Sequence, residues 1–364
     1  MKNLIDVNVD LPKERIEIEK NTPVYDAFKT LVEDENWPER IKVAENINTP
    51  VEFLKKLVED EEFLVRLAVA NNKNATEKIL KKLARDENWQ VRKAVTDNIN
   101  TSEDVLIELA GDENWWVREQ VANRIKRREI LRKLSEDESF NVKKAVADNL
   151  NTPKDVLEKL ALDEYYFVRE GVAYNPNTPK KDLERLVLDE SCGVRRCVAE
   201  NINSSGEILN KLSEDEDELV RVSVARNTNT FKADLEKLAG DEVVQVREAV
   251  AENNNATEEI LSKLSKDEDY LVREMVATNL NTPKEILIKL ARDKVWWVRM
   301  YTARNVNLPK DILVELAYDR ESTSVRFEAN YYLHNNYDIW LENNEDEYDI
   351  HSIITDEMYP FGVI

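Results

Sequence analysis

Residues 281–306 read NTPKEILIKLARDKVWWVRMYTARNV. Thr282, Pro283 and, three residues after the threonine, Glu285 announce a helix start: a side-chain cap, a proline where no N–H is needed, and a carboxylate reaching back. Ile286, Leu287, Leu290 and Ala291 then fall on one stripe of a 3.6-residue helix, with Lys284, Ile288 and Lys289 off it. Asp293 is expected to cap a second helix from about Trp296 to Arg304. Asn305 and Asn307 should end it, because asparagine tolerates the left-handed backbone of a tight return. Helices of roughly eight to ten residues are marginal alone, so this pair needs neighbours.

The rest of the chain supplies them. Asp34, Asp60, Asp86 and Asp112 are 26 residues apart, and after one step of 25 the series resumes at Asp137, Asp163, Asp189, Asp215, Asp241, Asp267 and Asp293, with a weaker copy near Asp319. Each of the eleven is followed six residues later by Arg or Lys and, in all but one case, twelve later by Asn. A fixed period of this size means an all-α solenoid, here of about twelve 26-residue two-helix repeats, in which each unit buries its apolar face against the next. The expected organisation is an N-terminal cap over 1–20, the repeats over 21–336 and an acidic tail or cap over 337–364. Val at five and nine after the Asp (Val65 and Val69, Val142 and Val146, Val194 and Val198) and a small residue at eight form the inward stripe of the second helix. The recurring Asp and Arg read as a structural ladder, in which Arg pairs with the carboxylate of its own or the adjacent unit. Lys143 for Arg and Arg124 for Asn are the exceptions, one on either side of the 25-residue step.

Residues 151–179, NTPKDVLEKLALDEYYFVREGVAYNPNTP, resemble the leucine-rich repeat variant family in their TP-x-x-x-L-x-x-LA-x-D and VR-x-x-VA-x-NPNTP segments, and the likeness extends over 21–330. The Asp-x5-Arg signature is also similar to HEAT repeats. The resemblance implies a right-handed superhelix in which one helix of each pair can be of the 3₁₀ type; the i, i+4 spacing of the VR helix favours α there. Some members of that family carry a cysteine-ligated iron–sulfur module. No Cys precedes Cys192, so no cofactor carries over.

Composition narrows the function. With 52 basic and 74 acidic residues the formal charge is −22, which repels nucleic acid and anionic lipid. Much of the excess lies in an Asp-Glu pair repeated in ten successive units, explained by helix starts that favour negative charge. There is no long apolar run and no signal-like N-terminus, so a cytoplasmic protein without membrane contact is the expectation. Cys192 and Cys197 share one helix five residues apart, poor geometry for a disulfide, and read as reduced core thiols. His334 and His351 are the only histidines. They allow no histidine–metal or histidine–carboxylate site on the repeats, and no glycine-rich phosphate loop or nucleophile motif is present. A non-enzymatic protein is expected, with no metal and no cofactor.

A fixed scaffold with variable positions is a binding surface. On the second helix the positions four, seven and eleven after the Asp share a face and vary most. They point to Leu64, Leu67, Trp116, Phe167, Tyr174, Leu219, Leu271, Trp297, Met300 and Arg304 as contacts for a protein or peptide. The offset-three residues Trp115, Tyr166 and Trp296 are expected to lie deeper. A second singular feature is the basic cluster Arg124, Lys126, Arg127, Arg128, Arg132 and Lys133, a kink or a docking place for an acidic segment. Two other functions are compatible with the repeat: an acidic mimic of nucleic acid that sequesters a basic protein, and a HEAT-like DNA glycosylase, which the net charge disfavours.

Overall fold

The computed structural model describes residues 18–20 and 22–335, and every regular element among them is an α-helix. The chain divides into two compact units, one ending at Asn203 and the other beginning at Ser204. The first holds seven helix pairs, from Pro23–Leu31 with Trp37–Glu45 to Lys180–Leu186 with Cys192–Glu200. The second holds five, from Gly206–Leu212 with Glu218–Arg226 to Lys310–Ala317 with Thr323–Asn335. Each unit is an α-solenoid. Both helices of a pair are α-helical, which settles the 3₁₀ alternative, although the short first helices are flanked by i→i+3 turns: Ile286 donates to Pro283 and Asp293 to Leu290, both at 3.0 Å. The caps expected at 1–20 and 337–364 lie almost wholly outside the described residues.

Within each unit the second helices pack directly on one another as a layer, and each first helix rests on its own second helix and on that of the preceding pair. The stripes read from the sequence face this seam. Ile286, Leu287, Leu290 and Ala291 are buried, as are Val91, Val95, Val142, Val146 and Val198. A nine-residue helix gains its stability here from burial rather than from propensity.

Three polar ladders stitch the repeats, and two of them differ from expectation. Thr282 does not cap the first helix: the helix starts at Lys284 with Pro283 as its cap residue, and the Thr282 hydroxyl donates to the Val276 carbonyl at 2.6 Å. That carbonyl belongs to the last turn of the preceding second helix, where no intrahelical donor remains, and it is buried. Thr152 and Thr178 donate likewise to the carbonyls of Val146 and Val172, which also accept from the N–H groups of Asn149 and Asn175. Where Thr replaces the proline, at Thr257, it does cap, accepting from the Ile260 N–H.

Asn305 likewise is not left-handed. Its φ of −76° and ψ of 120° are extended. Its amide donates to the carbonyls of Ala277 at 2.8 Å and Asn279 at 3.0 Å in the preceding repeat, while its side-chain oxygen accepts from the Asn307 N–H. Asparagine is required as a two-sided cross-link between repeats, which explains its constancy better than turn propensity does.

The third ladder is ionic. Arg169 places Nε and Nη2 on the two carboxylate oxygens of Asp189 in the next repeat, at 2.6 and 2.9 Å. Its Nη1 donates to the carbonyls of Asp163 and Glu164 in its own turn. Asp163 meanwhile takes the Tyr165 N–H on its side chain, so the Asp organises the loop before the helix rather than its first turn. The same pattern holds at Arg66, Arg92, Arg221, Arg247, Arg273 and Arg299, all with mostly buried side chains.

At the 25-residue step the Trp115–Arg124 helix runs one residue longer and ends on buried Ile125. Asn149 keeps its usual acceptor at Ala122 but takes Ile125 as the second, one residue beyond the usual position, and the Arg124 guanidinium donates to the Asn98 carbonyl at 3.0 Å in place of the missing amide. Lys143 keeps one bond of its ladder, to Asp163 at 2.5 Å.

One first-helix position breaks the apolar stripe. Where other repeats have Val105 or Val156, Asp182 and Asp234 are buried, and one carboxylate oxygen of each lacks a partner. Burial pushes the Asp182 carboxyl above the usual carboxylate range, against the pull of Arg185, which donates to it at 2.8 Å. A raised pKa in the fold means the charged form is disfavoured there, so this group's penalty is present at neutral pH and relieved as pH falls. Asp182→Val is expected to stabilise the protein by about 1–3 kcal/mol, the usual cost of an unsatisfied buried polar group. Thermal melts at pH 7 check it; a lower melting temperature would contradict the assignment.

Candidate binding face

Positions four, seven and eleven of the second helices lie on the side of the layer away from the first helices, and most are exposed or half-buried. In the first unit they carry rings. Trp116 lies nearly flat against Trp89 of the preceding repeat, centroids 5.4 Å apart at 13°, and against Trp115 at 5.3 Å and 9°. Phe167 packs on Phe140 at 6.2 Å and Tyr166 at 4.0 Å, and Phe140 also stacks on Tyr165. The offset-four ring of one repeat therefore leans on the offset-three ring of the one before.

This corrects the expectation that the offset-three residues lie deeper. Trp115 and Trp116 are 39% and 44% exposed, so the stacking leaves a large part of both rings open to solvent. At the third aromatic pair the order is reversed: Trp296 is exposed and Trp297 half-buried. Trp89, Phe140 and Tyr165 were missing from the sequence reading. For Trp89 and Phe140 the signal was a 27-residue spacing to Trp116 and Phe167, one more than the repeat.

Between the second helices Phe63–Asn71, Trp89–Asp97 and Trp115–Arg124 opens a groove of about 270 Å³, lined among others by Leu67, Trp89, Gln90, Lys93, Asp97 and Trp116. Its floor is apolar and its rim charged. Along the seventh position Lys93, Glu119 and Lys144 follow in successive repeats. Lys93 pairs with Asp97 at 2.9 Å and Lys144 with Asp148 at 2.5 Å. Burial raises the Glu119 carboxyl above its ordinary pKa while the charges of Lys93 and Lys144 oppose it. Leu64 and Leu67 are half-buried beside this groove, and Tyr174 stands further along, 62% exposed.

In the second unit three of these positions, Val222, Glu274 and Met300, are buried. Leu219 and Leu271 are exposed, but Met300 is buried in the cluster formed with Leu287, Leu313 and Leu316, so it is no surface anchor. Trp297 donates its indole N–H to buried Glu274 at 2.7 Å and packs on Tyr301 at 5.6 Å. Arg304 lies over the Tyr301 ring at 4.6 Å and binds Glu328 at 2.6 Å. These three brace the last helix pairs, which the sequence could not distinguish from anchors because offset alone does not report whether a following helix covers the position.

Neither cysteine is in a disulfide. Cys192 is exposed rather than a core residue, since it opens its helix at offset three, where side chains face outward; Cys197 is half-buried and its thiol is pushed up to about 11, chiefly by burial. Among the described residues no cluster of His, Cys, Asp and Glu could hold a metal, and no helix is long and apolar enough to cross a membrane.

No family profile and no curated protein matches the chain. Among solved structures it is similar to one described as a leucine-rich repeat variant with a novel repetitive protein structural motif, at 25% identity over 62% of this chain and 88% of that one, TM-score 0.47. It is also similar to importin beta, at 14% identity over 85% of this chain and 48% of that one, TM-score 0.28. A designed armadillo repeat protein matches at 13% identity over 84% and 97%, TM-score 0.10.

Proposed function

We propose that the protein is a non-enzymatic scaffold that binds a protein or peptide on the second-helix face of its first unit, with Trp116, Phe167 and Tyr174 as anchors beside Leu64 and Leu67. The observation that supports this is the exposed stack of Trp89, Trp115 and Trp116 beside an apolar-floored groove. Aromatic rings stacked on one another offer large contact area at little further entropy cost, which is how interface hot spots are built. The charged rim formed by Lys93 and Asp97 suits the polar border of such an interface.

The test separates binding from folding. Partners are captured from cells of the source organism and identified by mass spectrometry, and the leading one is titrated against Trp116→Ala. Loss of one stacked ring should cost stability only about 0.5–1.5 kcal/mol, while affinity should fall by about 2 kcal/mol or more. Unchanged affinity with a lowered melting temperature would make the rings structural clamps and end this reading.

A further inference from the structure

The loop and helix start at 125–128 break the rules that the other repeats obey. The first helices of the first unit are otherwise capped by Thr22, Pro50, Thr76, Ser102, Pro153 and Pro179; here the cap residue is Arg127 and the first helical residue Arg128. Cations at a helix N-terminus oppose the macrodipole and lower stability. A local rule broken without a compensating structural gain points to function. Part of the cluster does have structural work: Arg124 bonds Asn98, Arg127 meets Glu103 at 3.5 Å, and Arg132 binds Asp155. Lys126, Arg128 and Lys133 are exposed and have no ion pair among the described residues.

The next two first helices extend the pattern, opening on exposed Lys154 and on Lys180 followed by Lys181. Their carboxylates are mostly spent: Asp155 on Arg132, Glu158 on Lys181, and Asp182 inside the core. Glu129 alone among these lacks a cation. The result is a positive strip along one loop edge of a chain whose net charge is −22. The same edge carries Ile99 and Leu150, 80% and 64% exposed, in the loops on either side of Lys126.

We propose that this edge binds an extended acidic segment of a partner protein, in which apolar residues alternate with carboxylates. Carboxylates would pair with Lys126, Arg128 and Lys154, and aliphatic side chains would cover Ile99 and Leu150. Packed helices are about 10 Å apart and an extended chain advances about 3.3 Å per residue, so every third residue of the segment meets a new repeat. An acidic peptide suits the site better than a nucleic acid, whose denser charge is repelled by the surrounding acidic surface.

The probe is a fluorescein-labelled nonapeptide of three Glu-Glu-Leu units, titrated against the full chain by anisotropy at low and moderate salt. Binding that weakens with salt is expected. Lys126→Glu with Arg128→Glu and Lys154→Glu together should weaken it at least tenfold, and Ile99→Ser with Leu150→Ser several-fold. Lys232→Glu with Lys284→Glu, at equivalent helix starts of the second unit where Glu258 interrupts the series, should leave it unchanged, as should Trp116→Ala. The triple reversal places acids at the helix starts of residues 128 and 154 and in the exposed loop at 126, so its melting temperature should hold or rise, and lost binding cannot then be ascribed to misfolding. Retained affinity in the triple variant overturns the proposal. So does equal loss in the second-unit control, or a single-stranded oligothymidylate of the same length that binds more tightly than the peptide.

Discussion

Arg169→Ala is expected to destabilise the protein by about 3–5 kcal/mol, the range for removing one partner of a buried ion pair. The side chain is held at five points: two to Asp189, one to Glu190 in a second ion pair, and two to the carbonyls of Asp163 and Glu164. Removal leaves the Asp189 carboxylate buried without its cation and two turn carbonyls without donors. The nearest natural experiment is Lys143, which has a single ammonium where a planar fork is needed and bonds only Asp163. Lys143→Arg should therefore stabilise, and Arg169→Lys should cost less than Arg169→Ala. Urea unfolding of the three variants tests the series. A cost below 1 kcal/mol for Arg169→Ala would show the ladder to be no stronger than an exposed pair.

The ladder has a pH signature. Burial works against ionisation of Asp267 and Asp293, but the hydrogen bonds from Arg247 and Arg273 and from the loop N–H groups prevail and hold both carboxyls below the ordinary value of 3.8. Depressed folded-state pKa values contribute stability that is present above the unfolded value and lost as pH falls through the folded one. Stability should thus decline below about pH 4, in the opposite direction to the contribution of Asp182.

Val146→Asp should be comparably damaging, by several kcal/mol. Val146 is fully buried in the second-helix layer, and its carbonyl is already bonded by Thr152. Val146→Ala removes only volume and should cost less. Near-wild-type melting of the aspartate variant would mean that the inward face has been misassigned.

Much of the fold was legible because the period repeats one chemical decision many times. Val at five and nine cannot be coincidence when nine copies carry both, and the helix bounds at Trp296 and Arg304 followed directly. Cap chemistry was misread at Thr282 and Asn305 for a common reason. Local rules assign a side chain to its own turn, whereas in a stacked array the carbonyl most in need of a donor belongs to the repeat before. The candidate site was half legible. Trp116 and Phe167 were identified by offset, but their stacking partners are one residue out of phase and in another repeat, and Met300 is covered by helices that no offset could reveal.

Within a unit, the Arg of one repeat reaches forward to the Asp of the next, while the Asn reaches back to the carbonyls of the one before. Every repeat thus presents a plug on one side and a socket on the other. Copying or excising 26 residues in register renews both halves of the joint and strands no buried charge, so such a gene can lengthen or shorten by whole modules while single-residue slips are disfavoured. The one surviving slip, at 124–128, needed three substitutions of chemistry around it: Arg124 for the missing amide, Ile125 for the lost cap and Lys143 for the guanidinium.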